Sequence, residues 1–220
     1  MKGLIYASSN IKFESKFHSE MSYNIGFRKH PIAKIERSKE LMKTPGEKSQ
    51  PPVLSIVGRS GVGKTTLLEK LIPELKERGY RVGTVKHHAH TGFEIDHPGK
   101  DTWRHAQAGS DHVVIAAPDR IAAIQHIDHE WSIQEIVATM KDVDIVLTEG
   151  FRRADTLKIE VLRAEISQEA ICCPEELLAL MADFVPVTSV PYFDINDACG
   201  LASLIEKQFL QPGEHSGLNQ

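Results

Sequence analysis

The chain has 220 residues, 41% hydrophobic and 25% charged, a balance that excludes a wholly disordered polymer and allows a core of ordinary size. Its 26 Lys and Arg against 30 Asp and Glu give a formal charge of −4, which argues against bulk nucleic-acid binding, since that function leaves a basic footprint. No apolar run reaches the length of a membrane span, Leu4-Ile5-Tyr6-Ala7 is too short for a signal-peptide core, and the three cysteines form no CxxC pair. The expectation is a soluble, cytoplasmic protein.

Residues 1–49 hold ten Lys and Arg against five Asp and Glu, with scattered apolar residues and no sustained period. They run into Thr44-Pro45-Gly46-Glu47-Lys48-Ser49-Gln50-Pro51-Pro52, which reads as a linker. The expected organisation is a basic, flexible extension over 1–49, a folded domain over 50–211 and a polar tail over 212–220. The extension is either a basic arm for a partner or a membrane surface, or a dispensable tail, and Met42 offers an alternative start of translation.

Val53-Leu54-Ser55-Ile56-Val57 is a short apolar run bounded by Gly58 and predicts a buried strand. Leu67, Leu68, Leu71, Ile72 and Leu75 recur at helical spacing over 64–78, and Gly79 stops that helix. A second strand is predicted at 81–86 and a helix at 101–108. Strands at 112–117 and 121–127 are joined through Pro118-Asp119-Arg120. Ser132 and Glu135 have capping-box spacing at the start of a helix over 132–140. Further strands are predicted at 144–148, 158–162, 178–181 and 185–187, and an amphipathic helix at 196–209. Strands alternating with helices imply an α/β layered domain with a largely parallel sheet.

Gly58-Arg59-Ser60-Gly61-Val62-Gly63-Lys64-Thr65 matches G-x-x-x-x-G-K-[ST] in full, between a predicted strand and a predicted helix. The glycines let the loop wrap and turn its N–H groups toward an anion, and the helix N-terminus adds partial positive charge. Lys64 supplies a mobile ammonium for the β- and γ-phosphates, Thr65 a hydroxyl for Mg²⁺, and Thr66 a hydroxyl toward the α-phosphate. Binding of a nucleoside triphosphate with Mg²⁺ follows.

The metal needs an acid nearby, and Asp144 and Glu149 bracket one predicted strand. Ligands of parallel sheets sit at the carboxyl ends of strands, which selects Glu149. Gly150 lets the backbone approach the γ-phosphate. Lys64 and Glu149 are the candidate catalytic residues: Lys64 stabilises charge on the γ-phosphate and Glu149 orders water. Lys86 ends the second strand at the same edge and offers a second cation. Asp96 and Asp101 follow it and are candidates, with Thr65 and Glu149, for Mg²⁺ or its waters. His87, His88, His90 and His97 in the same segment allow a transition-metal reading instead, although the spacing matches no zinc pattern. Arg152 and Arg153 either touch phosphate or an acidic partner, or are solvated. Cys172-Cys173-Pro174 reads as a buried turn rather than a nucleophile.

Four segments together carry a resemblance: the loop from Gly58 to Thr66; Val85-Lys86-His87-His88 leading into Phe93-Glu94-Ile95-Asp96-His97-Pro98-Gly99-Lys100-Asp101-Thr102; Ala108-Gly109-Ser110 before a strand ending in Ala116-Ala117; and Asp144-Ile145-Val146-Leu147-Thr148-Glu149-Gly150-Phe151. From about residue 52 to about 209 the chain resembles the MobB family, GTP-binding proteins of molybdopterin guanine dinucleotide biosynthesis. The resemblance implies a P-loop fold of the class that includes dimeric GTPases and metal-insertion chaperones. It implies a homodimer with weak GTP hydrolysis that assists a MobA-type guanylyltransferase as an adapter, with molybdopterin as a further candidate ligand. By position it puts the phosphate site on Gly58 to Thr66 and the strand-end acid on Glu149.

One feature of ordinary GTPases is missing: no N-K-x-D or T-K-x-D box for guanine occurs. Asp183, after the strand predicted at 178–181, is the candidate acceptor for the guanine N1–H and N2–H₂ groups; the alternative is an ordinary loop aspartate. Two other functions stay open: a metallochaperone-type GTPase using the histidines, and a P-loop small-molecule kinase, for which no lid cluster of arginines is evident.

Overall fold

Strand β1 (Val53–Val57) forms from a short apolar run interrupted only by Ser55, with Leu54 and Ile56 packed into one layer and Val57 into the other. The computed structural model describes residues 50–88, 92–93 and 95–210; the expected extension over 1–49 and tail over 212–220 lie outside the described residues. After β1 the chain passes through loop 58–63 to α1 (Lys64–Glu77), β2 (Val82–Lys86), α2 (Asp101–Gln107), β3 (His112–Ala117), β4 (Arg120–Gln125) and α3 (Ile133–Ala138). It continues through β5 (Ile145–Glu149), β6 (Leu157–Leu162), a 3-10 turn at Pro174–Glu176, β7 (Leu177–Ala182), β8 (Tyr192–Asp194) and α4 (Ala198–Phe209). No described helix is long and apolar enough to cross a membrane.

Six strands form one sheet in the order β2-β5-β1-β6-β7-β8, and every neighbouring pair is parallel. This is the α/β layered architecture that the alternation of strands and helices predicts. A parallel sheet is covered on both faces, so its central strands are buried almost throughout and mostly apolar. On one face, Leu67, Leu71 and Leu75 of α1 and Leu201, Ala202 and Ile205 of α4 pack over Leu54, Ile56, Leu147, Ile159 and Met181. On the other, Ile133 and Val137 of α3 cover Val146, while Cys172 and Val190 cover Val57, Leu162 and Leu180.

Buried polar groups in β1, β5 and β6 are matched. Thr148 Oγ1 donates to Ser55 Oγ at 3.0 Å, and Ser55 and Thr156 share a hydroxyl bond of 2.7 Å. Lys158 and Glu160 on β6 are both fully buried. Lys158 Nζ donates to Ala154 O, Thr156 O and Glu176 Oε1. Glu160 accepts from Ile171 N and Cys172 N at 2.7 and 3.0 Å. These bonds fix the segment between β5 and β6 and the segment entering β7.

The predicted capping box forms: Ser132 N donates to Glu135 Oε2, and Glu135 N donates to Ser132 Oγ. The last strand corrects the expectation. The chain is a loop at 185–187, and the edge strand is β8 at Tyr192–Asp194. Pro186 has no N–H for a ladder and Val187 is fully exposed, whereas Phe193 packs against the α1–α4 core. Among the described residues, strands β3 and β4 pair only with each other, as an antiparallel ribbon outside the main sheet.

Candidate functional site

Because β1, β2, β5, β6 and β7 run parallel, their carboxyl ends share one edge of the sheet. The loop 58–63 opens there and delivers the chain into α1. Gly58 has φ +138°, and a Cβ on it would lie 2.5 Å from Val161 O of β6, so only glycine fits between the two strand ends. Gly63 is the N-cap of α1 and provides no side-chain acceptor, leaving the first-turn N–H groups and the helix dipole directed at the loop. Lys64 folds back along the loop, its Nζ donating to Gly58 O at 3.1 Å and Arg59 O at 2.8 Å. Burial holds its ammonium below the usual lysine range, with Lys86 adding to the effect and Glu149 opposing it. Arg59, Ser60, Gly61, Thr65 and Thr66 are exposed, and Val62 is buried under the loop.

Glu149, at the end of β5, is brought to the mouth of the loop. Its Oε2 accepts from Thr65 Oγ1 at 3.0 Å and its Oε1 from Lys86 Nζ at 2.6 Å. Lys86 is there because β2 and β5 register it opposite Glu149. Burial alone would raise the Glu149 carboxyl, but hydrogen bonds from Lys86 and Thr65 and the charges of Lys86 and Lys64 outweigh it and hold it below the usual carboxylate range. Gly150 follows with φ +100° and its N–H donates to Ile56 O at 3.0 Å. The sequence-predicted residues Gly58 to Thr66, Lys86, Glu149 and Gly150 therefore converge on one place, with two hard oxygen donors, Thr65 and Glu149, in contact. Asp144, the alternative acid, sits at the opposite end of β5 and binds Arg81.

The remaining candidates lie differently. Asp96 accepts from His97 N at 2.8 Å, and its carboxyl is held low first by a hydrogen bond from Thr102. Asp101 starts α2 and faces Arg104 at 3.8 Å. Neither is joined by a hydrogen bond or ion pair to Thr65, Lys64, Lys86 or Glu149. Among the described residues, no group of three or more His, Cys, Asp or Glu side chains could hold a metal ion. His87 pairs with Glu130 at 3.0 Å and stacks on Phe151, with ring centroids 4.8 Å apart; His88 meets the edge of Phe93; His90 lies outside the described residues. The transition-metal reading therefore gains no cluster among the histidines that are described.

Asp183 follows β7 at the same edge, where its Oδ1 accepts from Ala164 N at 2.8 Å. Arg152 turns away to donate to Ile171 O. Burial pushes the Cys172 thiol up to about 12, with Glu160 adding to the shift, which suits the buried turn and not a nucleophile. The sequence reading passed over Arg163, whose Nε donates to Val62 O at 3.3 Å. The signal available was a charged residue directly after a parallel strand, at the edge where ligands bind. Lys158 and Glu160 were also passed over, because a lysine and a glutamate in a strand read as solvated positions when no partner is visible.

The chain has relatives among known proteins. The family model for MobB, molybdopterin guanine dinucleotide synthesis protein B, matches residues 53–183, which takes in the loop, Glu149 and Asp183. A molybdopterin-guanine dinucleotide biosynthesis adapter protein of Haemophilus influenzae is 37% identical over 162 residues, spanning 72% of this chain and 89% of that one. The adapter protein of the same description from Escherichia coli is 34% identical over 164 residues, spanning 72% and 93%. A crystal structure of molybdopterin-guanine biosynthesis protein B superposes with a TM-score of 0.56 at 32% identity, covering 70% of this chain and 98% of that one. A Bacillus subtilis MobB structure, 23% identical, shares the fold with a TM-score of 0.58 and covers 72% and 98%. With more than half of its length matched by the family model and relatives above 30% identity, this chain belongs to the MobB family.

Proposed function

We propose that this chain is a GTP-binding adapter in molybdopterin guanine dinucleotide biosynthesis, acting beside a MobA-type guanylyltransferase in the cytoplasm, with slow Mg²⁺-dependent GTP hydrolysis of its own. The observation that carries the reading is the contact of Thr65 with Glu149 at the mouth of a glycine loop that opens a helix, in a chain whose relatives are adapters of that pathway. Residues 50–211 form the nucleotide domain in this reading. Thr65 and Glu149 would hold Mg²⁺, since a hydroxyl and a carboxylate are the hard oxygen donors that ion takes; Asp96 and Asp101 would act through its waters. When bound, the ion neutralises charge on the β- and γ-phosphates. The loop N–H groups and Lys64 bind the phosphates, Lys86 gives a further ammonium once a ligand draws it from Glu149, and Glu149 orients the attacking water. Asp183 would read guanine from the end of β7.

Hydrolysis is slow in this reading because the residues assigned to the γ-phosphate include no arginine. The adapter acts as a homodimer, which is supported by the β3–β4 ribbon. That ribbon exposes Val114, Ile115 and Ile121, and an apolar ribbon left open to water favours a second copy as its cover. Calorimetric titration with GTP, ATP and non-hydrolysable analogues in Mg²⁺, with Lys64→Ala as control, tests the function. GTP preference lost in the variant supports the adapter reading. ATP preference, or binding that survives in Lys64→Ala, would overturn it.

A further inference from the structure

Arg163 stands out on three grounds. First, its guanidinium reaches across to the phosphate loop. Nε donates to Val62 O, and Nη2 lies 3.4 Å from where a Cβ on Gly63 would be. Second, it is half-buried and has no carboxylate partner among the described residues. Arg81, Arg104 and Arg120 are more exposed, yet each faces an acid. A guanidinium has five N–H donors, and one bond to a carbonyl leaves most of them, and the charge, without an acceptor at a place of reduced hydration. Third, the turn carrying it is fixed. Arg163 O accepts from Ile166 N and Ser167 N, both at 2.9 Å, Ala164 N is held by Asp183, and Ile166 Cδ1 lies 3.7 Å from where a Cβ on Gly61 would be.

The sheet order assigns this cation to one end of the ligand. Thr65, Glu149 and Lys86 gather on the β5 side of β1, whereas Arg163 comes from β6 on the other side. A metal held by Thr65 and Glu149 would keep the terminal phosphates on the β5 side. The nucleoside end of an extended triphosphate then leaves toward β6 and β7, where Arg163 and the Ala164–Asp183 contact lie. We propose that Arg163 is a further nucleotide-binding residue, gripping the nucleoside end of the ligand from the β6 flank. The face of its planar guanidinium suits stacking on a base, and its free N–H groups suit the oxygen and nitrogen acceptors of the base and ribose. This rests on the nucleotide-binding reading above.

The test is calorimetry in Mg²⁺ with GTP, GDP and inorganic tripolyphosphate on the full chain, as wild type, Arg163→Ala and Arg163→Lys. Arg163→Ala is expected to weaken GTP and GDP by the same factor, roughly ten- to a hundredfold for a lost charge-assisted hydrogen bond. It is expected to leave tripolyphosphate, which has no nucleoside end, within about twofold. Arg163→Lys restores part of the GTP affinity. Retained tripolyphosphate binding also reports that the loop is intact in the alanine variant. An equal loss for tripolyphosphate would reduce Arg163 to a support of the loop, and unchanged GTP affinity would remove it from the site; either overturns the proposal. A wild-type chain that binds tripolyphosphate but no nucleotide would instead overturn the GTP reading on which it rests.

Discussion

Gly58→Ala puts the geometry of the cradle to a quantitative test. The added methyl would lie 2.5 Å from Val161 O and 3.1 Å from Val62 Cγ2. An ordinary carbon–oxygen contact is about 3.3 Å or more, so the loop or the β6 backbone must yield by roughly 0.8 Å. Val161 O belongs to a paired strand and cannot rotate away. Two effects add: a non-glycine residue at φ +138° costs about 1–3 kcal/mol, and forcing backbone apart in a packed region costs about 1–3 kcal/mol. Gly79→Ala is the control, because its φ is +91° with nothing within 4 Å, so it carries only the first effect. The difference between the two variants, about 1–3 kcal/mol, isolates the clash, and for a chain of this size it lowers Tm by about 2–12 °C. Scanning calorimetry measures this, with GTP titration on the same samples. Gly58→Ala is expected to melt below Gly79→Ala and to lose GTP, while Gly79→Ala keeps it. Equal melting temperatures with GTP affinity intact in both would refute the argument that β6 limits the loop.

Three other outcomes follow from the bonds described. Glu160→Ala strands the Ile171 and Cys172 N–H groups at about 1–3 kcal/mol each, so its urea midpoint drops well below that of Glu160→Gln, which keeps an acceptor; coincident midpoints would contradict it. Lys86→Ala removes a hydrogen bond and a charge that hold the Glu149 carboxyl low, so Glu149 titrates at higher pH in that variant by carbon-detected NMR. An unmoved titration would mean that Lys86 does not engage it in solution. The Glu135 carboxyl, hydrogen-bonded first by the Ser132 side chain and then by its backbone, is held at about 2. A carboxyl depressed on folding stabilises above its unfolded range, near 4.3, and that contribution fades as pH falls toward 2. Glu135→Gln should therefore flatten the acid limb of a stability–pH curve, modestly because the group is solvent-screened. A limb identical to wild type would argue against the capping box.

Much of this site was legible because its chemistry is local. The glycine loop, Lys64 and Thr65 are contiguous, and their spacing alone dictates a loop whose N–H groups point inward between a strand and a helix. The end of an apolar run marked Glu149, since a parallel sheet places ligands at carboxyl ends. Lys86 was found the same way, as the last residue of a strand. Asp96 and Asp101 follow Lys86 closely in sequence, and tertiary structure rather than that proximity decides where the loop carries their side chains. The strand predicted at 185–187 failed because Val185 and Val187 suggested a pleat, while Pro186 removes a donor that an edge ladder needs.

The sequence by itself determined the alternation of elements, the phosphate loop and the acid that faces it, because each rests on periodicity or on residues a few positions apart. Tertiary structure alone decided the order β2-β5-β1-β6-β7-β8, which seats Lys86 on Glu149 across 63 positions and Arg163 on Val62 across 101. It also turned Lys158 and Glu160 from charges on a strand into buried, matched groups. Contacts of that separation depend on which strand lies beside which, a choice made by the packing of whole layers and carried by no local pattern.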